Sequence, residues 1–190
     1  MREDIGKGAE RSLAGEALSA IDAIGRAYGC AFCITGKEQA VAQYVEQVCD
    51  DAHAIVARKA VLKTVQDEAI TVDKILYPGY VFFEAPAHGE HRIPQNANII
   101  SILASSGTGD WRLYGEDAKL VKWLFSYDGL LPFSQAIKEG DFVRILSGPL
   151  KDTETNIICF DKHRERALVA VTFCNRLVKT WLKYEILEKM

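Results

Sequence analysis

Two cysteines, Cys30 and Cys33, have the spacing that zinc sites and redox-active disulfides use. The residues from Tyr28 to Ile34 are predicted to form a strand, and on a strand an offset of three sends two side chains to opposite faces. No second pair of Cys or His residues supplies the remaining ligands of a zinc site. We therefore expect ordinary strand cysteines, with no metal and no cofactor.

Catalytic patterns are also missing from the sequence. The four histidines are scattered among polar residues, without the close Cys, Ser or carboxylate partner that a catalytic histidine needs. The segment Gly107-Thr108-Gly109 lacks the third glycine and the flanking strand and helix of a dinucleotide fingerprint. These observations predict a protein that is not an enzyme.

Basic side chains could bind nucleic acid, because phosphate contacts need only positive groups within reach. The candidates lie in a predicted hairpin and around a late helix: Arg58, Lys59, Lys63, Lys74, Arg112, Lys119 and Lys122. Lys119 and Lys122 are three residues apart and so share one side of a helix, and Trp111 is a candidate for base stacking. For each of these residues, an ordinary solvated surface is the alternative.

The segment from Tyr77 to Glu84 combines a Pro-Gly turn with a strand that is apolar on both faces. By the two-residue period of a strand, Tyr80 and Phe82 share one face while Val81 and Phe83 take the other. Each face must be covered by something. One can pack on the core, and the other suggests a partner.

The whole chain limits the class of protein. Its 190 residues are 48% hydrophobic, which is ordinary for a globular protein. A net charge of -3 argues against coating nucleic acid through bulk electrostatics, although from residue 137 onward 10 Lys and Arg face 8 Asp and Glu. The N-terminus has no continuous apolar stretch, and five cysteines without framework spacing fit reduced thiols. These features predict a cytoplasmic protein, without disulfides and without a membrane anchor.

The periodicity predicts alternating strands and helices in the first part of the chain. Thr35 to Glu38 reads as a capping box, and Val41, Tyr44, Val45 and Val48 form one apolar stripe on a helix from about Lys37 to Cys49. Short β-branched runs interrupted by charged residues from 54 to 73 suggest a hairpin or an extended arm. Strand 99–103 and a helix from Glu116 to Phe125 follow.

Residues 127–137 then read as a linker, because Asp128-Gly129 and Pro132 interrupt the pattern. Short strands are predicted at 141–146, 156–160, 166–173 and 182–187. Closely spaced strands of this kind favour a small barrel, which removes exposed sheet edges. The fold class predicted is α+β in two domains.

This order of elements resembles the NusG family of transcription elongation factors over about residues 27 to 190. Tyr77-Pro78-Gly79-Tyr80-Val81-Phe82 looks like the family's Phe-Pro-Gly-Tyr-Val strand, and Phe32 matches its first-strand aromatic position. Gly140 to Ile145, followed by Gly148 to Lys151, looks like the opening of the family's KOW domain.

The resemblance implies an N-terminal extension at 1–26, an NGN domain at 27–126, a linker at 127–137 and a KOW domain at 138–190. The NGN domain would be a four-stranded antiparallel sheet with flanking helices, and the KOW domain a small β-barrel. In the family, the NGN domain binds the clamp helices of the largest RNA polymerase subunit. Phe32, Tyr80 and Phe82 would form that contact, and Arg92 stands where related proteins touch a second polymerase loop.

Departures from the family pattern point to a specialised member. Phe173-Cys174-Asn175-Arg176 replaces the segment that docks ribosomal protein S10 and Rho, which puts both contacts in doubt. With Ser147 to Lys151 and Thr35 to Glu38, the chain looks most similar to LoaP-type antiterminators. That resemblance implies a monomeric, operon-specific factor that suppresses pausing and termination and recognises an RNA hairpin. A housekeeping NusG-type factor and a general RNA-binding or ribosome-associated KOW module are the alternatives.

Overall fold

The computed structural model describes residues 25–87, 93, 96–103 and 110–187. The protein is a mixed α+β protein, as the sequence predicted. Its elements in chain order are β1 (Arg26–Cys33), α1 (Glu38–Val48), β2 (His53–Ile55), β3 (Arg58–Val65), β4 (Glu68–Ile75), β5 (Tyr80–Pro86), β6 (Ile99–Leu103), α2 (Gly115–Phe125), β7 (Leu130–Leu131), β8 (Ser134–Glu139), β9 (Phe142–Ser147), α3 (Pro149–Asp152), a 3₁₀ turn (Glu154–Asn156), β10 (Ile157–Asp161), β11 (Arg166–Phe173) and β12 (Arg176–Ile186).

The chain divides into two compact units. The first comprises Met1–Val56 with Pro78–Ser126, and the second comprises Ala57–Tyr77 with Tyr127–Met190. None of the helices in the described part of the chain combines the length and apolar character needed to cross a bilayer.

The first unit is built on a four-stranded antiparallel sheet in the order β2-β5-β1-β6. Its central strands β1 and β5 are apolar on both faces, and both faces are largely covered within the chain. Ala31 and Val81 are cross-strand neighbours on one face, Cys30 and Phe82 on the other, and all four are fully buried. Helix α1 packs against β2 and β5, and α2 packs against β1. Most of the surplus apolar surface of the Pro-Gly strand is therefore used in the core.

Helix α1 follows the predicted stripe, since Val41 and Val45 are fully buried while Val48 at its end is exposed. The predicted capping box is wrong at its first position. Lys37, rather than Thr35, precedes the helix, and no side chain caps it. The Glu38 carboxylate instead reaches back to backbone amides of two turns, as described below.

The second unit contains a three-stranded sheet, β4-β3-β7, and a five-stranded sheet, β10-β11-β12-β8-β9. The pairing of β8 with β12 is parallel, whereas the other pairs of the five-stranded sheet are antiparallel. Along β11, Ala167, Val169, Val171 and Phe173 are buried and alternate with more exposed residues. The strand predicted at 166–173 is confirmed with the same bounds.

Two stretches differ from the sequence prediction. The β3–β4 hairpin, assigned above to the first domain, groups with the second unit, because β3 pairs in parallel with β7 through Arg58 and Lys59. Residues 127–137, expected to be a linker, contain β7 and the first four of the six residues of β8. Both differences come from strand pairing between distant segments, which local periodicity does not show.

Candidate functional site

Phe32 and Tyr80 form an aromatic pair at the end of the Pro-Gly strand. The antiparallel register places Phe32 opposite Tyr80 and Cys30 opposite Phe82, so the three aromatic residues share one face of the sheet. The ring centroids of Phe32 and Tyr80 are 5.2 Å apart, and both residues are half-buried. Phe82 is 0% exposed. The accessible part of the predicted polymerase-binding face is therefore Phe32 with Tyr80, and Phe82 supports it from the core.

Further apolar surface belongs to the same end of the sheet. Ile34 directly follows β1 and donates its backbone N–H to the Asn98 carbonyl, 2.9 Å away, just before β6. Ile34 is 46% exposed, and Ile100 on β6 is 59% exposed. Exposed large apolar side chains at the same end of a sheet as a half-buried aromatic pair are typical of a protein-binding surface.

Glu38 holds the Pro-Gly turn in place. Its Oε1 accepts the backbone N–H of Gly79 at 2.7 Å, and its Oε2 accepts that of Gly36 at 2.8 Å. Gly79 in turn accepts the N–H of Cys33 at 2.8 Å. The carboxylate thus joins the start of α1 to the turns beside Phe32 and Tyr80, and so positions the aromatic pair.

The environment of Glu38 keeps it ionised. The residue is only 2% exposed. Burial by itself would raise the pKa of its carboxyl, but the backbone hydrogen bonds from Gly79, Glu38 and Gly36 outweigh burial and lower the pKa. A buried, ionised carboxylate stabilises the fold only while the two backbone N–H groups that donate hydrogen bonds to it stay in place.

A side chain at position 79 would strain the Pro-Gly turn. Its φ of +82° lies in the left-handed region, and an added Cβ would sit 3.1 Å from the carbonyl oxygen of Cys33. The glycine therefore allows the turn to approach β1 closely enough for the hydrogen bond from Cys33.

Cys30 and Cys33 are both buried, and neither forms a disulfide. Burial, followed by the nearby Glu38 carboxylate, raises the pKa of Cys33 to about 11. A thiol in this state is protonated at neutral pH and is neither a good nucleophile nor a ready metal ligand. Within residues 25–87, 93, 96–103 and 110–187, no group of three or more His, Cys, Asp and Glu side chains is placed to hold a metal ion.

The predicted basic residues fall into two groups, one in each unit. Those of the first unit are largely engaged. The Arg112 Nε lies 2.6 Å from an Asp110 oxygen, and the Lys119 Nζ lies 2.7 Å from Glu116. Trp111 stacks on Phe83 with ring centroids 5.4 Å apart. Lys122 is exposed on α2, and Arg92 lies outside the described residues.

The basic residues of the second unit lie on the β3–β4 hairpin. Lys59 is directly opposite Lys74, while Arg58 is opposite Ile75 and Lys63 is opposite Ile70. Of these residues, Lys63 and Lys74 are exposed and the other two basic residues are half-buried.

Lys59 links the hairpin to β12. Its ammonium donates hydrogen bonds to the Thr180 hydroxyl and the Trp181 carbonyl, each at 2.8 Å. Burial, with the positive charges of Lys74 and Arg166, lowers the pKa of Lys59.

A basic cavity of about 390 Å³ opens between the hairpin and strands β11 and β12. Its lining consists of Lys59, Ala60, Val61, Leu62, Lys74, Arg164, Arg166, Trp181 and Lys183. The guanidinium carbon of Arg166 lies 4.4 Å from the centre of the Trp181 ring. Only Lys59 and Lys74 of this lining are among the sequence predictions. For the three other basic residues, Arg164, Arg166 and Lys183, the excess of basic over acidic residues from residue 137 onward was the available signal.

No protein-family model matches this chain, and no curated protein matches it. The functional conclusion therefore rests on the aromatic pair and on the basic residues described above.

Proposed function

We propose that this protein is a non-enzymatic transcription elongation and antitermination factor of the NusG type. Its first unit would act as an NGN domain that binds the clamp helices of the largest RNA polymerase subunit, and residues 138–190 would act as a KOW domain. The observation that carries the proposal is the half-buried Phe32–Tyr80 pair, with exposed isoleucines at the same end of the sheet. The four-stranded antiparallel sheet with packed helices and the five-stranded second sheet support it.

The chemistry of the aromatic pair suits a helical partner. Tyr and Phe present large, rigid apolar surfaces, and Tyr is enriched among the residues that dominate binding energy. The Glu38–Gly79 hydrogen bond holds the pair in place before binding, which reduces the ordering cost of association. A helical tip that covers both rings would complete the burial of this face.

The protein would suppress pausing if its affinity differed between the elongating and the paused polymerase. A ligand shifts an equilibrium only by its differential affinity for two states. The factor must therefore bind the elongating polymerase more tightly than the paused one. No bond is made or broken by the protein in this mechanism, which needs no catalytic residue and no cofactor. An operon-specific factor would also recognise a nucleic-acid signal such as an RNA hairpin.

Terminator read-through in a purified transcription reaction tests the proposal. Wild-type protein is expected to raise the read-through fraction on its responsive template, and Tyr80→Ala is expected to lose that effect. Phe142→Ala is a matched control, because Phe142 is an aromatic residue that is 78% exposed but belongs to the second unit. Absence of polymerase binding by the wild-type protein would overturn the proposal.

A general RNA-binding or ribosome-associated module is the second candidate, and the basic cavity favours it. Such a module does not need the Phe32–Tyr80 pair. Capture of RNA polymerase by the wild-type protein but not by Tyr80→Ala would distinguish the elongation factor from this module. The housekeeping alternative predicts that the protein also captures ribosomal protein S10 or Rho. The same capture experiment, with S10 or Rho in place of polymerase, tests it.

A further inference from the structure

The cavity of the second unit carries an excess of positive charge. Five cations line it, from Lys59 and Lys74 on the hairpin to Arg164, Arg166 and Lys183 beyond it. Two carboxylates lie beside it. The Asp161 Oδ2 is 3.0 Å from the Nε of Arg166, and the Glu165 Oε2 is 3.1 Å from the Nζ of Lys183.

The register of the strands concentrates this charge. Lys59 is the cross-strand neighbour of Lys74, and Arg166 is the cross-strand neighbour of Lys183. Like charges directly opposite each other destabilise a sheet. In the described part of the chain, Lys74 has no carboxylate within ion-pair distance. An anionic ligand would offset the repulsion.

The cavity also offers flat and apolar surfaces. Trp181 is half-buried, with the Arg166 guanidinium 4.4 Å from its ring centre, and aromatic rings and Arg planes are the surfaces on which unpaired bases stack. Ala60, Val61 and Leu62 add an apolar wall. A volume of about 390 Å³ lies within the range of about 300–1,000 Å³ typical of ligand pockets. This space suits a group larger than an inorganic anion.

We infer that this cavity binds one nucleotide of an unpaired RNA segment, with its phosphate beside Lys74 and Arg164 and its base against Trp181 or the apolar wall. Lys59 is a positioning residue, because its hydrogen bonds to Thr180 and to the Trp181 carbonyl hold the hairpin beside β12. This inference rests on the nucleic-acid binding that forms part of the proposed function. It assigns that binding to the second unit and to side chains of β3, β4, β11 and β12.

Binding of a short, fluorescently labelled oligouridylate to the full chain, measured by anisotropy across a salt series, tests the inference. Lys74→Glu and Arg164→Glu are each expected to lower the affinity about tenfold and to reduce the slope of the salt dependence by about 1. Trp181→Leu is expected to lower the affinity by roughly 5- to 150-fold. Lys138→Glu is the matched control, because Lys138 is exposed in the same unit but does not line the cavity.

The quenching of tryptophan fluorescence provides a second readout. Oligouridylate should quench the wild-type signal, and Trp181→Phe should lose most of this quenching while still binding. Uridine monophosphate and inorganic phosphate are competitor arms. Competition by uridine monophosphate only at much higher concentration supports a site for a strand, whereas equally tight binding of the free nucleotide overturns the assignment to RNA.

Two results would overturn the inference. One is unchanged affinity in Lys74→Glu, Arg164→Glu and Trp181→Leu. The other is an equal loss in Lys138→Glu, which would indicate unspecific electrostatic binding. Polymerase capture through Tyr80 is measured without RNA. A failure of RNA binding in the cavity can therefore be distinguished from a failure of the elongation-factor proposal.

Discussion

Lys59 on β3 lies directly opposite Lys74 on β4, and the ammonium of Lys59 is bonded to Thr180 and to the carbonyl of Trp181. Two like charges thus face each other at the edge of the basic cavity. Such an arrangement costs folding free energy, and its presence is explained if the charge serves to bind an anion.

We expect Lys74→Glu to stabilise the protein while weakening RNA binding. The substitution replaces a like-charge pair by an opposite-charge pair across the hairpin, which should raise the free energy of unfolding by up to about 1 kcal/mol. Urea denaturation followed by circular dichroism measures this change. A loss of stability in Lys74→Glu would show that the pair is not repulsive in the folded protein.

Glu38→Gln should destabilise the first unit at neutral pH. Glutamine offers one oxygen and one NH2 group, so it can accept only one of the two backbone N–H groups and places a donor against the other. Hydrogen bonds to charged groups contribute about 1.5–3 kcal/mol. Glu116→Gln is the control, because Glu116 belongs to the same unit and makes only an exposed ion pair with Lys119. Chemical denaturation of the three proteins at pH 7 gives the comparison.

The contribution of Glu38 should also depend on pH in one direction. Its folded-state pKa is lowered from the usual 4.5. The stabilisation is therefore fully present above the unfolded pKa and is lost as the pH falls through the folded pKa. Wild type should lose stability on acidification below about pH 4.5, and the difference between wild type and Glu38→Gln should shrink. A constant difference from pH 7 to pH 3 would contradict the assignment.

Gly79→Ala should cost more than Gly36→Ala. Both glycines have positive φ, +82° and +88°, but only the added Cβ at Gly79 would meet backbone, at 3.1 Å from the Cys33 oxygen. The positive φ alone costs about 1–2 kcal/mol in each variant, and the contact adds to the cost at Gly79. The difference between the melting temperatures of the two variants separates the effect of this contact from the effect of the positive φ. Equal melting temperatures would mean that the turn relaxes away from β1.

Tyr80→Ala and Phe82→Ala should separate binding from folding. Tyr80 is half-buried, so its truncation should weaken polymerase affinity by roughly 2 kcal/mol and leave the protein folded. Phe82 is fully buried, so its truncation should destabilise the fold by about 3–5 kcal/mol. Polymerase capture measures the affinity of both variants, and unfolding in denaturant measures their stability. Unfolding of Tyr80→Ala would instead assign Tyr80 to the core.

Much of the fold follows from the local pattern. The stripe of Val41 and Val45 predicted α1, and the residues Ile99–Leu103 were predicted as a strand with the bounds that the structure has. The residues Arg166–Phe173 were likewise predicted as a strand with the bounds that the structure has. These features depend on periods of 3.6 and two residues, which neighbouring residues alone determine.

The sites depended on more than the local pattern. The sequence by itself determined that Tyr80 and Phe82 share a face, because strand parity requires it. Only the tertiary structure decided that Phe82 is buried while Phe32 and Tyr80 remain partly accessible, since exposure depends on which helices cover the sheet. The basic cavity likewise depends on Lys59 bonding to Thr180, 121 residues away. Contacts at such separation are set by the packing of the whole unit, and no local period encodes them.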